Sequence, residues 1–426
     1  MKKIVSTVLM ASVLAGAFCA CTPESPPLDP PKMISTGEPV AVNIQELNAD
    51  QQDKYRRQYL NTSFELLKAQ TGSNQNVMIS PASIMLCMSM AEAGARGNTQ
   101  SQMAAIWGGE NDVNGQLSYA AEVMDRINNS QGVSLHAANS MWINQLVMEG
   151  FLKEEYVDFV RDTFGAEVQN QPFDDNTLGQ INGWVRENTD NMIDKVLDHL
   201  NPNCGMVLVN AIAFDGSWGT QFEDYQIDEN GTFTSASGEE QTATMLCGAE
   251  DWYLEGSGAT GFIKYYEGGQ YAFVVMLPDD ETQSADEYLA DITGDDFDEF
   301  LASASRPGLV NIKLPEFTYE YNCSLVGTLE GLGVTDAFDE ADADFTGIAE
   351  FDNGRNMYVD NVIHKTFIEV SRTGTRAAAV TAMTLDVAGA VMDEDVKYVV
   401  CDRPFAYAIV DMETNTPVFI GTVNNI

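Results

Sequence analysis

Gly374-Thr375-Arg376-Ala377-Ala378-Ala379-Val380-Thr381-Ala382-Met383-Thr384-Leu385-Asp386-Val387-Ala388-Gly389 opens a stretch that runs on into acidic residues ending at Asp395. A glycine leads, small residues follow, and no apolar face recurs at helical period. Ala favours helix, but the interleaved Thr and Val suit an extended strand at least as well. As a strand it would set Thr375, Ala377, Ala379 and Thr381 on one face and Arg376, Ala378 and Val380 on the other. A strand with such small side chains can slip between two existing strands without displacing bulk. It needs a body whose sheet can open.

Outward from that stretch, the chain reads as one mixed domain. Gln51 to Gln70 carries Tyr55, Tyr59, Phe64 and Leu67 at helical spacing. Asn76 to Ser83 is a short strand breaking into a helix, with Pro81 at an early helical position. The helix that follows, Ile84 to Ala95, is apolar nearly all round and should be buried. Further helices are expected over Asn98–Trp107, Gln116–Ile127, Phe151–Thr163 and Ile181–Thr189, with a strand at Leu135–Asn144. Gly205 to Phe214 is a continuous apolar run, expected as a strand buried on both faces. Strand patterns then dominate: Gly231–Met245, Phe262–Leu277, Leu309–Tyr319, Met357–Val370 and Phe405–Val423. Helical patterns recur at Asp286–Ser303 and Ser324–Leu332. No internal repeat shows, and no Pro/Gly-rich break follows residue 45.

Ahead of this body, Lys2 and Lys3 precede an apolar run from Ile4 to Ala17, closed by Cys19-Ala20-Cys21. Residues 1–20 read as an export signal, too short in its apolar part for a spanning helix. Ala20-Cys21 resembles a bacterial lipoprotein cleavage site, making Cys21 the lipidated N-terminus. Phe18 stands where such sites more often have Leu, so plain secretory cleavage is the alternative. Residues 21–44, with Pro23, Pro26, Pro27, Pro30, Pro31 and Pro39, read as an extended tether. The domain proper is 45–426. The expected location is the outer membrane, facing periplasm or cell surface, or the secreted fraction.

The 426 residues carry a formal charge of −42, from 22 Lys and Arg against 64 Asp and Glu. Nucleic acid, anionic lipid and other polyanions are therefore poor partners for the body, which meets a membrane only through its N-terminal lipid. Beyond Cys21 remain Cys87, Cys204, Cys247, Cys323 and Cys401, odd in number and widely spaced. Free thiols are expected, with a single bridge as the alternative, and no zinc site. No cofactor is expected. The three histidines, His136, His199 and His364, form no HExxH, and neither a GxSxG nor a phosphate-cradling glycine loop occurs. A spatial triad is compatible with any sequence, but without an elbow motif an enzyme is not expected. Asp342, Asp344, Thr346 and Gly347 mimic the start of a calcium loop, yet Asn353 stands where that loop needs a bidentate Glu, so a capped acidic turn is expected.

Several stretches resemble the signatures of one family, the serpins. They are Asn76-Val-Met-Ile-Ser80-Pro81-Ala-Ser83-Ile84, Gly94-Ala-Arg-Gly-Asn-Thr99 and Leu208-Val-Asn210-Ala-Ile-Ala-Phe214-Asp-Gly216-Ser-Trp218. Gly331-Leu-Gly-Val-Thr-Asp-Ala-Phe338, His364-Lys-Thr-Phe-Ile-Glu-Val370, Arg403-Pro-Phe405 and Phe419-Ile-Gly-Thr-Val423 follow in family order. The resemblance implies an α+β serpin fold of three β-sheets and about nine helices, with a reactive-centre loop exposed above a central sheet. The opening stretch would be that loop, and the protein a monomeric suicide-substrate inhibitor of serine proteases. Small residues at Gly374, Thr375, Ala377, Ala378, Ala379, Val380 and Thr381 match the hinge of inhibitory members. Family spacing puts the scissile bond at Ala388-Gly389, where Val387-Ala388 would suit an elastase-like pocket; Leu385, Val391 and Met392 are alternative sites. The alternative function is a non-inhibitory serpin, cleaved as a substrate or carrying a ligand.

The resemblance also maps Ser80, Ser83, Asn210 and His364 onto the polar shutter beneath the central sheet, and Trp218 onto the tryptophan where insertion begins. Arg372 stands where the family commonly has an acid, and Glu316 where its lysine partner would be, so a sign-reversed salt bridge is expected. Heparin-regulated relatives carry a basic helix near residues 115–130. Here that segment holds Glu122, Asp125 and only Arg126, so heparin activation is not expected.

Overall fold

The computed structural model describes residues 42–109, 112–351, 356–375 and 396–426. Cys21, the residues from Ala377 to Thr381, and Ala388-Gly389 lie outside them, as do the export signal and most of the tether.

Helices crowd the first half. In α1 (Ala49–Lys68) the Asn48 side chain accepts the Gln51 N–H while the Gln51 side chain accepts that of Asn48, satisfying two orphan donors reciprocally. α2 (Pro81–Gly94) starts as expected: Ser80 Oγ accepts the Ser83 N–H at 3.2 Å, and Pro81 sits where a missing donor is harmless. Only Cys87 in α2 is less than buried, and the helix packs between the central sheet and a second sheet behind it. α3 (Gly97–Ala105), α4 (Val113–Asn128), α5 (Gln145–Met148), α6 (Glu154–Phe164) and α7 (Asp175–Asn188) follow, then α8 (Ala285–Leu289), α9 (Gly294–Ala302) and α10 (Val326–Gly331). α7 begins six residues before the expected Ile181, because Asp174 caps a polar first turn that carries no apolar period.

The central sheet has six strands in the order β11 (Phe317–Ser324), β12 (Ile363–Val370), β13 (Gly374–Thr375), β4 (Met206–Ser217), β2 (Ser134–Asn144) and β3 (Glu167–Gln171). A second six-stranded sheet runs β1 (Val77–Ile79), β16 (Thr416–Val423), β15 (Phe405–Asp411), β9 (Tyr271–Pro278), β8 (Ala259–Tyr265) and β7 (Trp252–Gly256). The third runs β14 (Val396–Val400), β10 (Leu309–Pro315), β6 (Glu240–Glu250) and β5 (Ile227–Thr234). Three sheets and ten described α-helices make the expected α+β architecture.

Several stretches expected as single strands are hairpins. Gly231–Met245 folds back at Ser235–Glu239, and Phe262–Leu277 at Glu267–Gln270, where Gly268 and Gly269 supply positive φ. Phe405–Val423 turns before β16, with Asn415 at φ 57°. Leu309–Tyr319 is divided between two sheets at Glu316, whose N–H makes the last bond to β6, to Thr244 O at 2.8 Å, before the chain passes to β11. Only Ile363–Val370 of the Met357–Val370 stretch is strand. The apolar run at Gly205–Phe214 is buried on both faces only from about Val209 onward. There α7 and the chain after it cover Val209, Ala211 and Ala213 in a small core separate from the main one, while Met206 to Leu208 stay half-exposed.

Candidate functional site

The site is the upper end of the central sheet, where β12 hands the chain to the opening stretch. After Val370 the backbone reverses in a tight turn: Ser371 N–H donates to Gly374 O at 2.9 Å and Gly374 N–H returns to Ser371 O at 3.3 Å. β13 then runs antiparallel to both neighbours, Thr375 opposite Val370 on β12 and Gly216 on β4. Gly216 has no side chain because a Cβ there would lie 2.9 Å from the rings of Phe214 and Tyr266. Below Thr375, β4 and β12 are not paired with each other among the described residues. An apolar cavity reaches from Thr375 past Ile212 and Phe214 on β4 to Phe367 and Ile368 on β12, with Met192 and Ile193 also lining it.

The loop base is held from the β4 side. Trp218 N–H donates to Thr373 O at 3.0 Å, and its indole N–H to Ser371 O at 2.8 Å. Phe222 N–H donates to Arg372 O at 3.0 Å. Tyr266 stacks on Trp218 with ring centroids 4.7 Å apart, and its hydroxyl lies 2.6 Å from Thr375 Oγ1. Burial pushes the Tyr266 hydroxyl well above its usual pKa, so it stays a neutral partner. Beneath Trp218 lies Lys264, 3% exposed, its Nζ 2.6 Å from Glu250 Oε1 and 2.9 Å from Thr220 O. Burial raises the Glu250 carboxyl and the Lys264 charge opposes that rise.

Arg372 Nε lies 3.8 Å from Glu316 Oε1, and Arg372 NH1 lies 3.4 Å from Asp224 Oδ1. The shorter contact is backbone: Arg372 N–H donates to Glu316 Oε1 at 2.9 Å. With Arg372 40% exposed, the carboxylate's grip on the amide matters more than the ion pair.

Lower in the sheet, the polar residues form two groups joined at the start of α2. On the β12 side, Ser80 N–H donates to His364 Nε2 at 3.0 Å, and Ser80 Oγ–H to Val418 O at 2.9 Å. On the β4 side, Ser83 Oγ–H donates to Asn210 Oδ1, Asn210 Nδ2 to Asn139 Oδ1 at 2.9 Å, and Asn139 Nδ2 to Phe164 O at 2.8 Å. Ser80 Oγ, accepting the Ser83 N–H, is the hinge between them. Burial pushes the His364 imidazole down to about 4, so it is neutral and Nε2 is free to accept. His136 and His199 lie exposed elsewhere.

Asn139, Tyr266, Lys264 and Asp224 were not legible as site residues. Tyr266 reaches Thr375 across 109 positions, and Asn139 meets Asn210 only through the β2–β4 register. The acidic turn is capped: Asp344 Oδ1 accepts the Thr346 N–H at 3.1 Å and its hydroxyl at 2.6 Å. Cys87, Cys204, Cys247, Cys323 and Cys401 are all free.

A family model described as serpin (serine protease inhibitor) matches residues 57–426. The chain belongs to the serpin family. An uncharacterised serpin-like protein of Thermococcus kodakarensis is 29% identical over 369 residues, 85% of this chain and 84% of its own. Human neuroserpin is 30% identical over 372 residues, covering 83% and 87%. Tengpin, a thermophilic serpin, matches in its native-state crystal structure at 35% identity with a TM-score of 0.81, over 90% of this chain and 96% of that one. Its latent-state structure scores 0.76 at 34% identity, over 90% and 100%. Members of this family are typically protease inhibitors.

Proposed function

We propose that this serpin is an inhibitory one, trapping serine endopeptidases of elastase-like preference at Ala388-Gly389. The observation that carries the reading is β13: the first two hinge residues hold the central place between β12 and β4, above an apolar cavity. The protease's own serine attacks the Ala388 carbonyl, forming an acyl-enzyme, and the Gly389 amine leaves while remaining joined to β14. The residues after Thr375 then zip down between β12 and β4 as a new antiparallel strand. Roughly a dozen residues gain ladder bonds at about 1 kcal/mol net each. At about 3.3 Å per residue the tethered protease travels on the order of 50 Å, and its active site is distorted before water can release it. The small side chains of Ala377, Ala378, Ala379, Val380 and Thr381 support entry, and the native state is accordingly a kinetic trap.

The domain works as a monomer, anchored through lipid on Cys21 and residues 21–44 to an outer membrane, with no heparin cofactor. The test is incubation with pancreatic and neutrophil elastases, trypsin and chymotrypsin, followed by denaturing gels and peptide masses. A denaturation-resistant complex with the elastases, releasing a peptide that begins at Gly389, is expected. Clean cleavage without complex by every enzyme would instead make the chain a non-inhibitory substrate.

A further inference from the structure

We propose that the buried Lys264–Glu250 ion pair is the pin that holds residues 217–222 closed over the loop base, and so sets how fast the loop enters the central sheet. The proposal rests on the insertion reading above. Every backbone step from Ser371 to Thr375 is gripped by this segment or its stacking partner: Trp218 takes Ser371 O and Thr373 O, Phe222 takes Arg372 O, β4 pairs with Gly374 and Thr375, and Tyr266 takes the Thr375 hydroxyl. Lys264 stands behind the Trp218 and Phe222 contacts. Its Nζ donates to Thr220 O in the middle of the segment, lies 4.3 Å from the Phe222 ring centroid and 5.4 Å from that of Trp218, and is neutralised by Glu250 at 2.6 Å.

The pair also joins two sheets, since Lys264 is on β8 and Glu250 ends β6. Phe222 packs flat on β6 at Gly248, where a Cβ would come within 2.8 Å of its ring. Pulling the segment away from the loop base would take the Thr220 carbonyl and the Trp218 and Phe222 rings from the Lys264 ammonium, leaving it Glu250 alone. Removing one partner of such a pair leaves the other uncompensated, which is far more disruptive than removing both. The ion pair fixes the ammonium in the one place where Thr220 O and both rings complete its partners, and so favours the closed arrangement of the segment.

The experiment measures, without any protease, the conversion of the full-length protein at constant temperature into a form that melts higher, together with hydrogen exchange by peptide. Lys264→Met and Glu250→Gln should each speed conversion at least about tenfold, with faster exchange confined to 217–222 and 371–375. The double variant should be no faster than the faster single. Arg126→Met is the control, because it breaks a second partly buried pair, with Asp411 at 3.0 Å, that lies away from the loop base. It should leave exchange at 217–222 unchanged. If Lys264→Met does not fold, Glu250→Gln carries the same comparison. Unchanged conversion in the singles, additive singles, or exchange that rises evenly through the molecule would each overturn the proposal. Because no protease is used, failure of the protein to trap elastase would sink the inhibitory reading and leave this result standing.

Discussion

At the scale of single residues, two buried titratable groups pull stability in opposite directions with pH. His364 stays neutral in the folded protein down to about pH 4, whereas a free imidazole protonates near 6.5. Between those values the unfolded chain binds the proton and the native chain does not. Stability is thus complete above pH 6.5 and falls as pH drops, by about 2 kcal/mol at pH 5. The first urea transition should move to lower urea between pH 7 and 5, and His364→Gln should flatten that slope. An unchanged slope in the variant would place the proton elsewhere. Glu92 in α2 has the reverse sign. It is fully buried, neither carboxyl oxygen has a hydrogen-bond partner, and burial raises its pKa well above the usual range. The unfolded chain ionises above about pH 4.5 and the native chain does not, so this group weakens the fold as pH rises. Glu92→Met should stabilise by about 1–3 kcal/mol at pH 7 and by clearly less at pH 4, read from the same urea transitions. The Arg372–Glu316 contact belongs to this scale too. Because Glu316 also holds the Arg372 amide, Glu316→Arg should cost more than Arg372→Glu, and the double exchange should recover only part of the loss. Singles no worse than the double would show that the side chains do not pair.

At the scale of elements, β13 is where sequence and structure meet most closely. Thr375 is 3% exposed and packed against Tyr266, so Thr375→Arg would put an unpaired guanidinium into that contact. The expected outcome is a switch from inhibitor to substrate, with at least about tenfold more serpin cleaved per protease trapped. Equal stoichiometry would mean that Thr375 need not enter the sheet. The Ser80-Pro81 helix start and the apolar α2 were legible because each depends on neighbours in sequence. Hairpin turns were less so: Phe262–Leu277 and Phe405–Val423 keep strand composition straight through their turns, and only Gly268-Gly269 and Asn415 mark the reversals. Glu316 shows a second limit, since one continuous β pattern serves two sheets and no turn residue marks where the chain leaves β6 for the central sheet. The clasp on the loop base was the least legible part. Trp218 was placed there by the family resemblance alone, while Tyr266 and Lys264 lie far in sequence from Ser371–Thr375 and a buried lysine beside aromatic rings leaves no periodic trace.

At the scale of the whole molecule, the proposed insertion requires a native state that is not the most stable one. Among the described residues, only Gly374 and Thr375 stand between β12 and β4, in a position that could hold a full strand. The chain that follows Thr375 is tethered again at β14, where Val396 pairs with Leu309 in another sheet, so entry of the uncut loop works against that pairing. Cutting the loop removes the constraint and leaves everything else in place. Roughly a dozen new ladder bonds at about 1 kcal/mol each should then raise the melting temperature by about 15 °C or more, at a little over 1 °C per kcal/mol for a domain of this size. Limited cleavage by a protease that is not trapped, followed by calorimetry of intact and nicked protein, measures this directly. A nicked form that melts with the intact one would mean that the loop gains nothing by entering the sheet, and trapping by insertion would then have no driving force.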